Sequence, residues 1–224
     1  MIITDIVIDF LIAIFLADLV SGIVHIVLDY QEVKNTDLRL HVEKDIPDIM
    51  NFKETNTLFM NASKRDKFLW NFHAHHDVPY PSSEPEFAEI LKVLIPSLII
   101  LCISYCLYVK GIIKKRGIRI LLFATPFFIL SQKIHFLAHA RNHNKLNNEC
   151  FLEKILCFMQ DYNIILNPKE HRKHHQTYDC NFCIVNGWAN PLLNLVTKLL
   201  IEINILPKIP MTTCNRNMIN EKTK

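Results

Sequence analysis

Apolar segments long enough to cross a membrane restrict the folds that this chain can adopt. Residues 6–28 form a nearly continuous apolar run, and residues 91–109 and 120–138 form two more. At about 1.5 Å per residue, a helix of about 20 residues crosses a hydrocarbon core of about 30 Å. Because backbone polar groups must be satisfied inside that core, we predict a membrane-spanning helix in each run.

The rest of the chain is polar, apart from two interrupted apolar segments. Residues 151–166 and 188–206 carry charged and amide side chains among the apolar ones, which favours interfacial or packed helices over spans. We therefore predict an all-α integral membrane protein with about three to four transmembrane helices. One domain is expected over residues 1–210, followed by a polar C-terminal tail at 211–224.

Charge predicts an orientation and excludes one class of partner. No basic residue precedes the first run, whereas Lys34, Arg39 and Lys44 follow it. The positive-inside rule then places the N-terminus outside or in a lumen, and residue 31 onward in the cytosol. The basic turn at 110–119 falls on the disfavoured side in this layout. With a net charge of only +3 and no basic stripe, the chain is not expected to bind nucleic acid.

Histidines next to the apolar runs are the main functional signal. Eight of the eleven are paired, or stand beside another candidate ligand, and most of them share one face of a helix. His25 and Asp29 are one turn apart, whereas His75 and His76 are adjacent and suit a place between two metal ions. The eight are His25, His75, His76, His135, His139, His171, His174 and His175.

This number of imidazoles indicates metal binding. A metal site takes three or four protein ligands, so eight histidines suggest two ions. Two irons with open positions would activate oxygen, and two zincs would suit hydrolysis; the spacing does not separate these. His41, His73 and His143 lack spaced partners and are interpreted as surface residues or neighbours of the ligands. The seven cysteines form no regular framework, and the Cys180/Cys183 pair alone does not make a zinc site.

Several segments resemble the Kua-type lipid desaturases. Residues 17–25, Ala-Asp-Leu-Val-Ser-Gly-Ile-Val-His, followed by Asp29, are similar to the opening motif of that family. Residues 72–76, Phe-His-Ala-His-His, and 132–139, with the HxxxH pattern, are similar to the next two motifs. The segment 160–190 continues in the same order, with the three histidines at 171–175 and Gly-Trp-Ala-Asn at its end.

The resemblance implies an enzyme with a cytosolic, histidine-rich helical cap that holds two iron ions. It implies O2 as co-substrate, a lipid C–C double bond as product, and an electron donor such as cytochrome b5 or a ferredoxin. By the resemblance, the eight histidines are metal ligands. Asp29 would be a ligand or would orient one, and Asp161 and Asn190 would at most support ligands or cap helices.

The substrate is less closely defined by these motifs. The family includes plasmanylethanolamine desaturase and the plastid phosphatidylglycerol desaturase, and the first is the expected activity. Gln160-Asp161 resembles the animal ether-lipid form, whereas His75-His76-Asp77-Val78-Pro79 resembles the plastid form. Acyl desaturation of an intact phospholipid, lipid hydroxylation and non-catalytic metal binding stay as alternatives. The N-terminal composition is not rich in Arg and Ser as in a transit peptide, so we expect the endoplasmic reticulum membrane as the location if the host is eukaryotic.

Overall fold

Helices make up all the regular structure of the described residues. The computed structural model describes residues 2–34, 57–77, 86–142 and 150–208, and these contain no strand. The helices are α1 (Ile2–Asp29), α2 (Thr57–Asn61), α3 (Lys64–Asp77), α4 (Glu86–Val109), α5 (Lys115–Asn142), α6 (Phe151–Asp161), α7 (Pro168–Thr177) and α8 (Asn190–Glu202). The predicted all-α class is therefore confirmed for this part of the chain.

Two of these helices are long and apolar enough to cross a membrane. They are α1 and α5, which contain the first and third predicted spans. The second predicted span lies in α4, whose apolar stretch Val93–Val109 is shorter. A third or fourth span, and the cytosolic side of the histidine-rich end, stay predictions.

Helix α5 packs along both α1 and α4. Small buried residues at the α1–α5 contact, Ala13, Ala17 and Ala124, allow the two backbones to approach closely. The two helices run parallel, because His25 near the C-terminal end of α1 faces His135 near the C-terminal end of α5, with ring centroids 6.0 Å apart. Helices α1 and α5 therefore place their histidines at the same end of the bundle.

An ion-pair cluster joins α1 and α5 at the other end. The Asp9 side chain has no exposed surface and accepts hydrogen bonds from Arg116 Nε at 2.7 Å and Arg119 Nε at 2.7 Å. Arg119 Nη2 also contacts the same carboxylate. The charges of the basic turn are thus partly neutralised within the bundle.

The loop between α7 and α8 is held against the middle of α1. Asp18 is fully buried and accepts backbone N–H groups of Val185, Asn186, Gly187 and Ala189 at 2.9–3.2 Å. One turn further along α1, a Cβ at Gly22 would lie only 2.7 Å from Cys183 Sγ and 2.3 Å from Leu193 Cδ1. A side chain at residue 22 would therefore have to displace the side chains of Cys183 and Leu193, so glycine favours close packing of the loop and α8 on α1.

Helices α6 and α8 each present an exposed apolar stripe. On α8 the stripe recurs at helical spacing in Leu192, Leu195, Leu199 and Ile203, all 46–61% exposed. On α6 it comprises residues 151, 155, 158 and 162. This amphipathic character agrees with the predicted interfacial helices.

Several sequence predictions lie outside the described residues. These are His41, His143, and the C-terminal tail at 211–224 with the proposed domain end at 210.

Candidate metal centre

Four helices bring the predicted ligands together. His25 and Asp29 lie in the last two turns of α1, His75 and His76 at the end of α3, and His135 and His139 in the last two turns of α5. The other three, His171, His174 and His175, lie on the short helix α7, which Asn167 caps by accepting Lys169 N–H. All eight predicted histidines and Asp29 converge at this end of the bundle.

Their donor atoms form two groups. His75, His135, His139 and His175 make the first group, and His25, Asp29, His76 and His174 make the second; within each, the donor atoms lie within 4.8 Å of one another. Adjacent residues on a helix point about 100° apart. For that reason His75 and His76 separate into different groups, as do His174 and His175.

His171 joins the first group from the side. Its Nε2 lies 2.9 Å from His139 Nε2 and 2.9 Å from His175 Nε2, and His139 Nε2 lies 3.1 Å from His135 Nε2. One ring nitrogen has either a proton or a lone pair along a single direction, so it cannot make good hydrogen bonds to two other ring nitrogens. A shared cation explains the convergence better.

Backbone carbonyls orient three of the rings. His174 Nδ1–H donates to Cys180 O at 2.7 Å, His175 Nδ1–H donates to His76 O at 3.4 Å, and His75 Nδ1–H donates to Phe72 O. With the proton on Nδ1, the lone pair of each ring is on Nε2, the atom that faces the cluster. Such bonds fix the tautomer that a metal ligand needs.

Unsatisfied buried atoms show that the donor set fits a metal. Nε2 of His25, His75 and His174 is buried and has no hydrogen-bond partner among the described residues. Leaving such an atom unpaired costs about 1–3 kcal/mol. A bound cation would satisfy these nitrogens together.

Asp29 adds negative charge to the second group. It has no exposed surface, and its two oxygens lie 3.1 Å from His76 Nε2 and 3.6 Å from His174 Nε2. A buried carboxylate is costly unless a positive charge balances it. The three-histidine, one-carboxylate composition of this group is therefore consistent with a cation.

The other two predicted site residues lie elsewhere. Asp161 is exposed and pairs with Arg141 at 2.5 Å, and Asn190 accepts Cys183 N–H at 2.9 Å through Oδ1. Neither belongs to the two donor groups. His73 is buried beside the cluster, with Nε2 3.0 Å from Leu28 O, which supports its interpretation as a neighbour of the ligands.

Two supporting residues were present in the sequence motifs without an assigned role. Gln160 is fully buried, donates to Ile134 O at 3.1 Å and accepts from Arg141 at 3.2 Å, so it ties α6 to the histidine-bearing part of α5. Asp18 anchors the loop that carries Phe182, whose ring centroid lies 5.3 Å from that of His174. The signal for both was a polar side chain within an apolar segment.

Burial makes the stability of the metal-free protein depend on pH. Burial lowers the pKa of His174 to about 4 and that of His75 to about 3, whereas both titrate near 6.5 when exposed. As pH falls below 6.5, the unfolded chain takes up protons that the folded chain does not. The free energy of unfolding is therefore expected to fall by up to about 1.4 kcal/mol per pH unit for each such histidine.

Thermal unfolding of metal-depleted protein between pH 7.5 and 4.5 measures this effect. The melting temperature is expected to be constant above pH 7 and to fall steadily below 6.5. A melting temperature that stays level down to pH 4.5 would contradict it.

Two comparisons with known proteins agree with these motifs. A family model described as a lipid desaturase domain matches residues 51–202, which is more than half of the chain. The chain is also similar to fatty acid desaturase 4-like 1, chloroplastic, of Arabidopsis thaliana, at 23% identity over 121 residues. That match covers 54% of this chain and 38% of the relative, so it spans well under half of the relative's length. No solved structure matches the chain significantly.

Proposed function

The chain belongs to the lipid desaturase family, and we propose that it is a di-iron membrane enzyme that uses O2 to introduce a double bond into a phospholipid chain. The observation that carries the proposal is the pair of adjacent donor groups at one end of the helical bundle. Family membership alone supports lipid desaturation, and the donor groups support the two-metal form of that chemistry.

The proposed ligands follow the two groups. One iron would be held by His75, His135, His139 and His175, with His171 beside them, and the other by His25, Asp29, His76 and His174. When bound, the two irons supply the oxygen-dependent oxidation of an unactivated CH2–CH2 unit, which side chains alone cannot perform.

The electron balance requires an external donor. Two hydrogens removed from the lipid supply two electrons, and reduction of one O2 to two water molecules needs four. Two further electrons and two protons must therefore enter in each turnover, from a donor such as cytochrome b5 or a ferredoxin.

Side chains around the centre would hold the ligands and keep water out. The Phe72 ring lies 5.0 Å from His25, and Phe182, which is fully buried, lies 5.3 Å from His174. His171 and His174 have no exposed surface. A dry site protects an oxidising centre from side reactions with solvent.

We propose plasmanylethanolamine as the substrate, with the vinyl ether of plasmenylethanolamine as the product. The support is the segment around Gln160, which resembles the ether-lipid form and which the fold uses to hold α6 against α5. The enzyme would then be a multi-pass membrane protein, in the endoplasmic reticulum of a eukaryotic host, with the metal centre on the cytosolic side.

A second candidate is acyl desaturation of an intact phospholipid. It is favoured by the similarity to a protein named as a chloroplastic fatty acid desaturase. The two candidates differ in the bond formed, because only the ether lipid yields an acid-labile vinyl ether.

Lipid analysis of a host that lacks plasmalogens tests the proposal. The full chain would be expressed with an ether-lipid precursor, and its detergent-purified form assayed for metal. About two irons per chain and an acid-labile vinyl ether are expected. An acyl double bond would select the second candidate, a hydroxyl would select hydroxylation, and zinc without lipid oxidation would overturn the proposal.

A further inference from the structure

A cleft lies between the end of α6, helix α7, the loop that follows α7, and the start of α8. It has a volume of about 520 Å³, within the range of small-molecule sites, and asparagines supply half of its twelve lining residues. Glu170, which lines the cleft, directly precedes His171 on α7. The cleft and the metal centre therefore share one helix.

The cleft offers hydrogen-bond donors and one negative charge. Asn186 Nδ2 is buried and has no partner among the described residues, while Asn186 Oδ1 accepts Trp188 N–H at 3.1 Å. Glu170 accepts one hydrogen bond from Asn181 at 2.8 Å. No lysine or arginine is found among the described residues that line the cleft.

This lining selects among ligand charges. A net-negative ligand would meet a carboxylate without a compensating cation, which is unfavourable. A ligand with both a phosphate and an ammonium group fits better, since amide donors suit phosphate oxygens and a carboxylate suits an ammonium. The exposed indole of Trp188 at the same cleft adds a face that attracts a cation.

The position of the cleft favours a lipid over a soluble compound. Its rim includes Trp188, which is 48% exposed, and the exposed apolar residues Ile164 and Leu192 stand next to lining residues. The cleft is lined by the loop that Asp18 holds against α1. At about 1.5 Å per residue, Asp18 lies about 10 Å before His25 along α1, toward the middle of that helix. Tryptophan is typical of the membrane–water interface.

We propose that this cleft binds the headgroup of a zwitterionic, ammonium-bearing phospholipid, with Glu170 facing the ammonium group and the asparagine amides of the lining facing the phosphate. The proposal rests on the lipid desaturase function and specifies how that enzyme selects its substrate. It disfavours an anionic glycerol headgroup, so it bears on the choice between the two candidate substrates.

Binding to the iron-loaded, oxygen-free full chain in maltoside micelles tests the assignment without turnover. The probes are dihexanoyl phosphatidylethanolamine and dihexanoyl phosphatidylglycerol, and the readout is tryptophan fluorescence. The chain has only two tryptophans, and Trp70 is fully buried in a separate cluster, so Trp188 is the expected reporter. The ethanolamine lipid is expected to bind about tenfold more tightly than the glycerol lipid.

Glu170→Gln keeps the size and one acceptor of the side chain but removes its charge, so the preference should fall to within about twofold. Glu202→Gln, the same change at an exposed residue outside the cleft, should keep it. Equal binding of both lipids to the unmodified chain, or an unchanged preference in Glu170→Gln, would overturn the proposal. A signal that persists in Trp188→Phe would overturn the location.

Free glycerophosphoethanolamine shows whether the cleft binds the headgroup of a lipid or a soluble compound with the same headgroup. It is expected to bind at least about tenfold more weakly than the lipid, and equal affinity would overturn a lipid ligand. Glu170-dependent binding without any lipid oxidation would overturn the proposed function alone. Lipid oxidation together with lipid binding that is unchanged in Glu170→Gln would overturn only the headgroup site.

Discussion

Replacement of His135 by alanine is expected to lower iron content and to reduce lipid desaturation by at least about 100-fold. His135 is buried, and its Nε2 lies 3.1 Å from that of His139 within the first donor group. Without this ring the first ion loses one of its histidine ligands. A water molecule from the solvent does not replace an imidazole as a ligand. Metal analysis of the purified variant, with product analysis by mass spectrometry, measures both effects.

Lys173→Ala is the matched control for His135→Ala. Lys173 lies on α7 between His171 and His174 but is exposed, so its loss should leave both iron content and turnover near those of the unmodified chain. If His135→Ala retained two irons and full turnover, the first donor group would not be a metal site.

Replacement of Asp18 by alanine is expected to destabilise the protein by about 4 kcal/mol or more. Its carboxylate accepts four backbone N–H groups of the loop between α7 and α8, and these donors would be left buried without an acceptor. For a chain of this length, the melting temperature should fall by roughly 8–16 °C. Thermal unfolding in detergent measures the shift.

Asp161→Ala is the corresponding control, because it removes a carboxylate that is exposed and paired only at the surface with Arg141. Its effect should stay within about 1 kcal/mol. A similar melting temperature for Asp18→Ala and the unmodified chain would show that the loop does not depend on this carboxylate.

Local spacing was sufficient to predict the long apolar helices and most of the candidate ligands, but not α2 and α3. The apolar runs predicted α1 and α5, and the i, i+4 spacing of His135 with His139 and of His171 with His175 predicted shared faces. These patterns depend only on 3.6 residues per turn, so a single sequence contains them. The placement of His75/His76 and His135/His139 on one side also followed, because two predicted spans separate these pairs and return the chain to the side that it left.

The division into two groups could not be predicted from spacing. His76 faces Asp29 and His174, while His75 faces His135 and His139, and these pairings are fixed by the packing of α3 and α7 on α1 and α5. Contacts between residues far apart in sequence depend on helix orientation, which periodicity does not specify. Asp161 illustrates the same limit, since its motif lies next to the ligands in sequence but its side chain pairs with Arg141.

The cleft was equally inaccessible to sequence reasoning. It is built by an irregular loop in which Asn181 and Gly187 adopt positive φ angles of 59° and 80°. The loop's path is set by Asp18, more than 160 residues earlier in the chain. In the sequence, asparagines in such a segment are typical of an ordinary loop. Only the folded structure shows that six of them line one cleft.

The Asp9 cluster constrains how the protein is made. In the proposed membrane arrangement, α1 is synthesised first, and its carboxylate has no partner until Arg116 and Arg119 have been translated about a hundred residues later. A lone carboxylate within hydrocarbon is unfavourable. Helix α1 is therefore expected to remain beside the insertion machinery, or shallow in the bilayer, until α5 arrives, so that biogenesis releases the two helices into lipid together.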